Sequence, residues 1–189
     1  MNSELTFILG AMEDGCLIKR ENIGDYTIEF DQKNKEWLEI LNECFGKVFK
    51  KTTHIKKTKR GYYRLSIHSK RIFDKLQKLM KSRMRLIEDS SISCKASFLR
   101  GVFDAESSVH PNRFVIALSN KDTDLLRFRK KLLNEFDIGT GSICRSNGDV
   151  FEVCIFGGEN LQKYKERIGF SHPDRIKKLN RILKRYIGS

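Results

Sequence analysis

Phe98-Leu-Arg-Gly-Val-Phe-Asp-Ala-Glu106-Ser107 is a short apolar stretch that closes on an acid and a small residue. The same pattern stands near the start of the chain as Phe7-Ile-Leu-Gly-Ala-Met-Glu-Asp14-Gly15. The acids are 106 − 14 = 92 residues apart. Working outward from each copy, the order of elements repeats. Tyr26-Thr-Ile-Glu-Phe30 alternates apolar and polar residues as a half-buried strand does, and Phe114-Val-Ile-Ala-Leu118 stands in the same place in the second half. Phe30 to Leu118 is 118 − 30 = 88, and Tyr63 to Phe151 is again 151 − 63 = 88. Helical patterns follow each strand: Glu36 to Leu41 and Leu125 to Leu133, then Ser69 to Met80 and Glu159 to Ile168. Each half reads helix, hairpin, helix, hairpin, helix. The first hairpin is four residues shorter in the second half, a cheap change in a loop.

Composition bounds what such a repeat can be. The 189 residues carry 37 Lys and Arg against 24 Asp and Glu, a net charge of +13. Residues 1–94 hold 19 basic and 13 acidic residues (+6), and residues 95–189 hold 18 and 11 (+7). Basic character is spread over both halves, as it would be if both touched one polyanion; nucleic acid is favoured, and acidic membranes or solubility alone also fit the number. No apolar run reaches the roughly 20 residues of a membrane span. Five cysteines without a CxxC pair argue against a disulfide framework and a cysteine zinc site, and for an intracellular, reducing, cytoplasmic home. The densest basic stretch, Lys47 to Arg60, has interleaved Val48, Phe49, Thr52, Thr53 and Ile55 and reads as β-strand.

The acids carry the chemistry. Glycine inside a helix costs about 0.5–1 kcal/mol relative to alanine, and close backbone approach is the usual compensation, here along Gly10, Ala11, Gly101 and Ala105. Asp14 and Glu106 are expected at the C-terminal ends of their helices, where the macrodipole disfavours an acid by roughly 0.3–1 kcal/mol. A divalent cation relieves that penalty, since Mg²⁺ is held by one or two carboxylates with phosphate oxygens and water. Metal held in this way suits in-line phosphodiester displacement. Glu13 and Asp104 are neighbouring acids, but alignment of the repeats selects the residue before Gly15 and Ser107.

These two segments resemble the paired signatures of the LAGLIDADG homing endonucleases in their single-chain, two-repeat, archaeal or intron-encoded form. The second motif is a close match. The first is looser, its glycine lying one place late, and Ser107 stands where the family has glycine. Ile168-Gly-Phe-Ser-His-Pro-Asp174 also resembles a segment frequent near the end of archaeal and intein-type members. The resemblance implies an α+β fold of two pseudo-symmetric αββαββα repeats (residues 1–90 and 91–189). Their antiparallel sheets would form a DNA-binding saddle with the motif helices at the interface. It implies a monomer that cleaves both strands of double-stranded DNA with Mg²⁺, leaving short 3′ overhangs. Asp14 and Glu106 are then the metal-binding acids. Gln32-Lys33 and Asn120-Lys121 occupy the positions where members place water-positioning amides and phosphate-stabilising lysines.

Strand alternation assigns the DNA face. Tyr26, Ile28 and Phe30 point to the helices, with Thr27 and Glu29 towards DNA. Tyr62 and Arg64 also face the ligand, and Arg113 and Arg145 are candidate base readers. Lys56, Lys57 and Lys59 are candidate phosphate clamps. Glu29 is suited to accept from cytosine N4. Ser107 replaces the residue best suited to a left-handed helix exit, and Ser171-His-Pro-Asp174 reads as a capping box opening the last helix. The start at Met1 and the end at Ile187-Gly-Ser189, without splicing residues, give a free-standing or intron-encoded expectation. The alternative is a noncatalytic nucleic-acid-binding protein of the same fold, a maturase for intron RNA or a DNA-binding regulator.

Overall fold

Asn2 opens the first helix by accepting the Leu5 N–H on its side chain at 3.0 Å, as an N-cap does. That helix, α1 (Ser3–Ala11), buries every residue from Leu5 to Ala11, as a helix apolar on all sides must. The computed structural model describes residues 1–187; Gly188 and Ser189, the last two residues of the second repeat, lie outside the described residues. After α1 come β1 (Gly15–Arg20), β2 (Asp25–Gln32) and α2 (Lys35–Phe49). Next are β3 (Lys56–Lys57), β4 (Tyr63–His68), α3 (Lys70–Lys81) and α4 (Arg83–Glu88). The motif helix α5 (Ile92–Glu106) leads to β5 (Ser107–His110), β6 (Val115–Asn120), α6 (Thr123–Glu135), β7 (Cys144–Asn147), β8 (Val150–Phe156), α7 (Gly158–Arg167) and α8 (Pro173–Ile187).

The two sheets are antiparallel and have matching orders, β1-β2-β4-β3 and β5-β6-β8-β7. Their registers match too. Asp31 faces Arg64 across β2 and β4, and Ser119 faces Glu152 across β6 and β8, so both pairs shift by 88. The fold is α+β, with one four-stranded sheet to each half. In the first sheet Ile28, Phe30, Leu65 and Ile67 are fully buried. They meet the apolar stripe of α2, where Trp37, Leu38, Leu41 and Phe45 recur at helical spacing. Phe30 and Phe45 meet edge to face with ring centroids 6.1 Å apart. The second sheet buries Ile116, Leu118, Val153 and Ile155 in the same way.

Local chemistry sets the boundaries. Asn34, Ser69 and Asp122 cap α2, α3 and α6 by accepting N–H groups of the first turn. The basic stretch Lys47 to Arg60 departs from its expected strand: Lys47 to Phe49 complete α2, and only Lys56–Lys57 form a strand. Helical spacing of Phe45 and Phe49, whose rings stand 5.7 Å apart, outweighs β propensity there. Lys50, at φ 55°, ends the helix. Asn42 then holds the following loop by bonding both the N–H and the carbonyl of Thr53.

The chain divides into two compact units, Met1–Gly101 and Val102–Ser189. The division falls inside α5, whereas the repeat boundary expected from the sequence, 90/91, lies just before that helix. The first part of α5 belongs with the first unit because it packs on α1. A β-carbon on Gly101 would lie 2.3 Å from the Phe7 carbonyl oxygen and 2.8 Å from the Ala11 nitrogen. Alanine is ordinarily favoured over glycine in a helix by about 1 kcal/mol. Gly101→Ala is nevertheless expected to lower the unfolding free energy by about 1–3 kcal/mol, as overpacking does. Urea denaturation checks the sign, and a stabilised variant would refute the close approach.

Candidate active site

Both motif segments end in a sharp passage from helix to strand. In the first, Met12 and Glu13 turn after α1, and the Asp14 and Gly15 N–H groups donate to the Ala11 and Met12 carbonyls. Asp14 is half-buried in this turn, three residues beyond the end of α1. The Gln32 amide, at the end of β2, donates to an Asp14 carboxylate oxygen. The sheet register brings these together, since Gly15 pairs with Phe30 and β2 continues two residues further. Glu106 is the last residue of α5 and is half-buried.

Neither exit uses a left-handed residue, because Gly15 and Ser107 are absent from the positive-φ positions. This corrects the expectation for Ser107. Gly15 is required for space: a β-carbon there would stand 2.6 Å from the Phe30 ring. Ser107 begins β5, is buried, and donates its hydroxyl to the Phe103 carbonyl. Serine thus supplies a hydrogen bond to the last turn of α5.

The neighbouring acids do structural work. Glu13 is ion-paired with Arg83 at 3.2 Å, with both side chains largely buried. Asp104 is fully buried, and its two carboxylate oxygens accept from the Ser171 and His172 N–H groups at 3.0–3.1 Å. Asp104 therefore caps the entry to α8 from another element, and Ser171 does not act as the box residue the sequence pattern indicated. Pro173 takes the first helical position, where its missing N–H costs nothing. Arg175 closes the joint by donating to the carbonyls of Asp104, Ala105 and Ser107 on either side of Glu106. Arg83 and Arg175 are 175 − 83 = 92 residues apart, the same offset as the motif acids. The sequence carried that signal, but only the contacts identify both arginines as partners of a motif-helix end.

The other candidates divide. Lys33 and Lys121 are exposed in the turns between strand and helix, and the Lys33 ammonium lies 5.6 Å from the Tyr62 ring centre. Asn120 differs from Gln32: its side-chain oxygen accepts the Asp122 N–H at 2.9 Å and so shapes the entry to α6. Lys56, Lys59, Tyr62, Arg64 and Asp31 line an open hollow on the first sheet, and Lys57 is exposed beside Lys56. Arg113 is exposed in the β5–β6 turn, while exposed Arg145 lies over the Phe151 ring. Thr27 is a correction, since it is 3% exposed. Its hydroxyl is held by Asp25 at 2.7 Å and His68 at 2.9 Å, neighbours that cover it. Glu29 is also engaged, by Arg64 at 3.0 Å and by the Ser66 hydroxyl at 3.3 Å.

The donor set is all oxygen, which suits a hard cation such as Mg²⁺. Among the described residues no group of three or more His, Cys, Asp or Glu side chains could hold a metal. Single carboxylates of this kind leave most coordination positions to phosphate and water, in keeping with the habits of Mg²⁺. Among the described residues no helix is long and apolar enough to cross a membrane.

Residues 93–169 match the model of a LAGLIDADG-like domain. The homing endonuclease I-ApeI of Aeropyrum pernix is 24% identical over 196 residues, covering 96% of this chain and 87% of that protein. Among solved structures, I-DmoI in complex with DNA and Mn superposes with a TM-score of 0.71 at 19% identity, over 90% of this chain and 98% of that one. The N-terminal LAGLIDADG domain of DUF199/WhiA gives a TM-score of 0.62 at 18% identity, over 88% of this chain and 82% of that one.

Two stability outcomes follow from the α5–α8 joint. Asp104→Asn, which turns an amide donor towards N–H donors, is expected to cost at least about 1–3 kcal/mol in chemical denaturation. His172, buried beside Asp104, has its pKa pushed down to about 4, first by burial and then by the Arg175 charge. The unfolded imidazole binds its proton near the ordinary 6.5. The neutral ring therefore contributes stability that is complete above pH 6.5 and is lost as pH falls from there towards 4. His172→Gln is expected to flatten that limb of the stability profile, and an unchanged limb would assign it to other groups.

Proposed function

We propose that this chain, which carries a LAGLIDADG-like domain over residues 93–169 and takes the two-repeat LAGLIDADG fold along its length, is a site-specific double-strand DNA endonuclease. The observation that carries this reading is the half-buried Asp14 carboxylate at the end of the first motif, oriented by the Gln32 amide. Glu106 is its counterpart at the end of α5. In this reading the enzyme works as a monomer on duplex DNA and leaves short 3′ overhangs.

Asp14 and Glu106 would hold Mg²⁺, which when bound supplies Lewis acidity and an activated water. The remaining work belongs to the chain. Gln32 keeps the Asp14 oxygens aimed by donating to one of them. Lys33 and Lys121 would offer ammonium groups to the phosphate as negative charge develops, the electrostatic help that transition states of this kind use most. Lys56, Lys57 and Lys59 would hold backbone phosphates, which fixes orientation without reading sequence. Binding of this kind weakens steeply with salt. A noncatalytic nucleic-acid-binding protein is the second reading. It is favoured by one observation, the turning of the Asn120 side chain into its own loop.

Incubation with a randomised duplex library and Mg²⁺ separates the two. Asp14→Asn and Glu106→Gln are expected to abolish double-strand cleavage while leaving duplex affinity within a few fold. Lys33→Met or Lys121→Met is expected to slow cleavage by roughly 100-fold or more. Selective binding by the wild-type protein with no cutting under any divalent metal would sink the enzyme reading and leave the binder.

A further inference from the structure

The two sheets share topology and register, yet the same position carries opposite charges. Arg64 stands opposite Asp31 in the first sheet, and Glu152 stands opposite Ser119 in the second. The flanking strands keep the equivalence: Arg64 also pairs with Lys56, and Glu152 with Cys144, each 88 residues on. Arg64 and Glu152 alternate with the buried Leu65 and Val153, so both point away from the helices.

Each side chain is held by its neighbours. Arg64 donates side-on to Asp31, from Nε at 2.7 Å and from Nη2 at 2.5 Å. Its Nη1 lies 3.0 Å from a Glu29 oxygen, and Ser66 steadies Glu29 in turn. The guanidinium has five N–H donors in a rigid fork. Asp31 takes two of them, which leaves a donor on each terminal nitrogen, a pair suited to an acceptor pair such as guanine O6 and N7. The side chain remains 41% exposed, so this end can be reached. Fold stability gives little reason for the cluster, because exposed ion pairs contribute about 0–1 kcal/mol. Nor does general attraction to phosphate, since two acids beside one arginine leave the group net negative. Orientation of the arginine accounts for both acids.

Glu152 is held by the Ser119 hydroxyl at 3.4 Å on one oxygen and by the Cys154 thiol at 3.2 Å on the other. Both partners are neutral donors, and the Cys154 pKa is pushed up to about 11 by burial and by Glu152 itself. Each oxygen retains a lone pair for an outside donor. In a major groove the donor a carboxylate accepts from is the exocyclic amino group of cytosine.

We propose that Arg64 reads guanine and Glu152 reads cytosine at repeat-equivalent positions of the target, so that the recognised duplex departs from a palindrome at that pair. Asp31 and Glu29 are positioning residues for Arg64, and Ser119 for Glu152. This rests on the duplex-DNA part of the proposed function and is independent of cleavage.

The test is selection of bound sequences from a randomised duplex library by the full chain with Ca²⁺ in place of Mg²⁺. Circular dichroism checks that each variant is folded. The wild-type protein is expected to select guanine in one arm and cytosine at the related position of the other. Arg64→Ala is expected to flatten the guanine preference by about 5- to 150-fold and leave the other positions unchanged. Arg64→Lys retains the charge without the fork and is expected to restore affinity but not the preference. Glu152→Gln is expected to move the second position from cytosine to adenine, the base glutamine pairs with. Asp31→Asn is expected to weaken the guanine preference without changing the base chosen. A palindromic wild-type selection, or one unchanged in both Arg64→Ala and Glu152→Gln, overturns the inference while duplex recognition stands. Failure of the wild-type protein to bind any duplex overturns both together.

Discussion

There is no room for a β-carbon where α5 crosses α1. At Gly101 the Phe7 carbonyl oxygen and the Ala11 nitrogen would both lie inside contact distance of one. Helix backbones that approach this closely exchange side-chain packing for main-chain proximity, and few residue types permit it. The consequences run along the chain. The start of α5 joins the first compact unit, α1 is buried on all sides, and the turn after α1 is placed where Gly15 meets the Phe30 ring. That turn presents Asp14 to Gln32. A change of one residue in the register of β2 would turn Gln32 to the other face and remove the contact.

The ends of the motif helices are secured by different chemistry in the two halves. In the first, glycine makes space and the Glu13–Arg83 pair holds the turn. In the second, Ser107 donates back to Phe103, Asp104 caps α8, and Arg175 binds three carbonyls around Glu106. A carboxylate at a helix C-terminus is disfavoured by the dipole, and an arginine on the same carbonyls offsets it. The joint ties α8 to the backbone on either side of Glu106.

The repeat constrains the backbone more tightly than the surface. Strand order holds across both sheets, with an 88-residue offset between the β2–β4 and β6–β8 pairings and 92 for the strand that follows each motif, because buried alternation tolerates no slip. The outer faces are free to diverge. One carries Glu29, Asp31 and Arg64 as an interlocked charge cluster, while the other holds a single carboxylate between a hydroxyl and a thiol. A duplicated scaffold with unlike faces suits a ligand whose two halves differ.

Much was legible in linear order. The duplicated motif, the order of helices and hairpins in each half, the buried faces of β2 and β4 and the alignment of the acids at 14 and 106 are read from periodicity and offset, which linear order carries. The Lys47 to Arg60 stretch departs from its strand-like composition because helical spacing of Phe45 and Phe49 outweighs β propensity, and Thr27 is buried because the outer face of a strand can still be covered by its neighbours. Only the tertiary structure decided which polar group serves which. Asp104 accepts from Ser171, 67 residues away, and Arg64 from β4 is bound by Asp31, 33 residues away. Such partners are chosen by register and by how closely helices approach, and neither is written in composition or spacing. The sequence determined that two acids stand among many cations. Packing determined that Asp14 faces an amide, and that Asp104, two residues before Glu106, holds a helix in place.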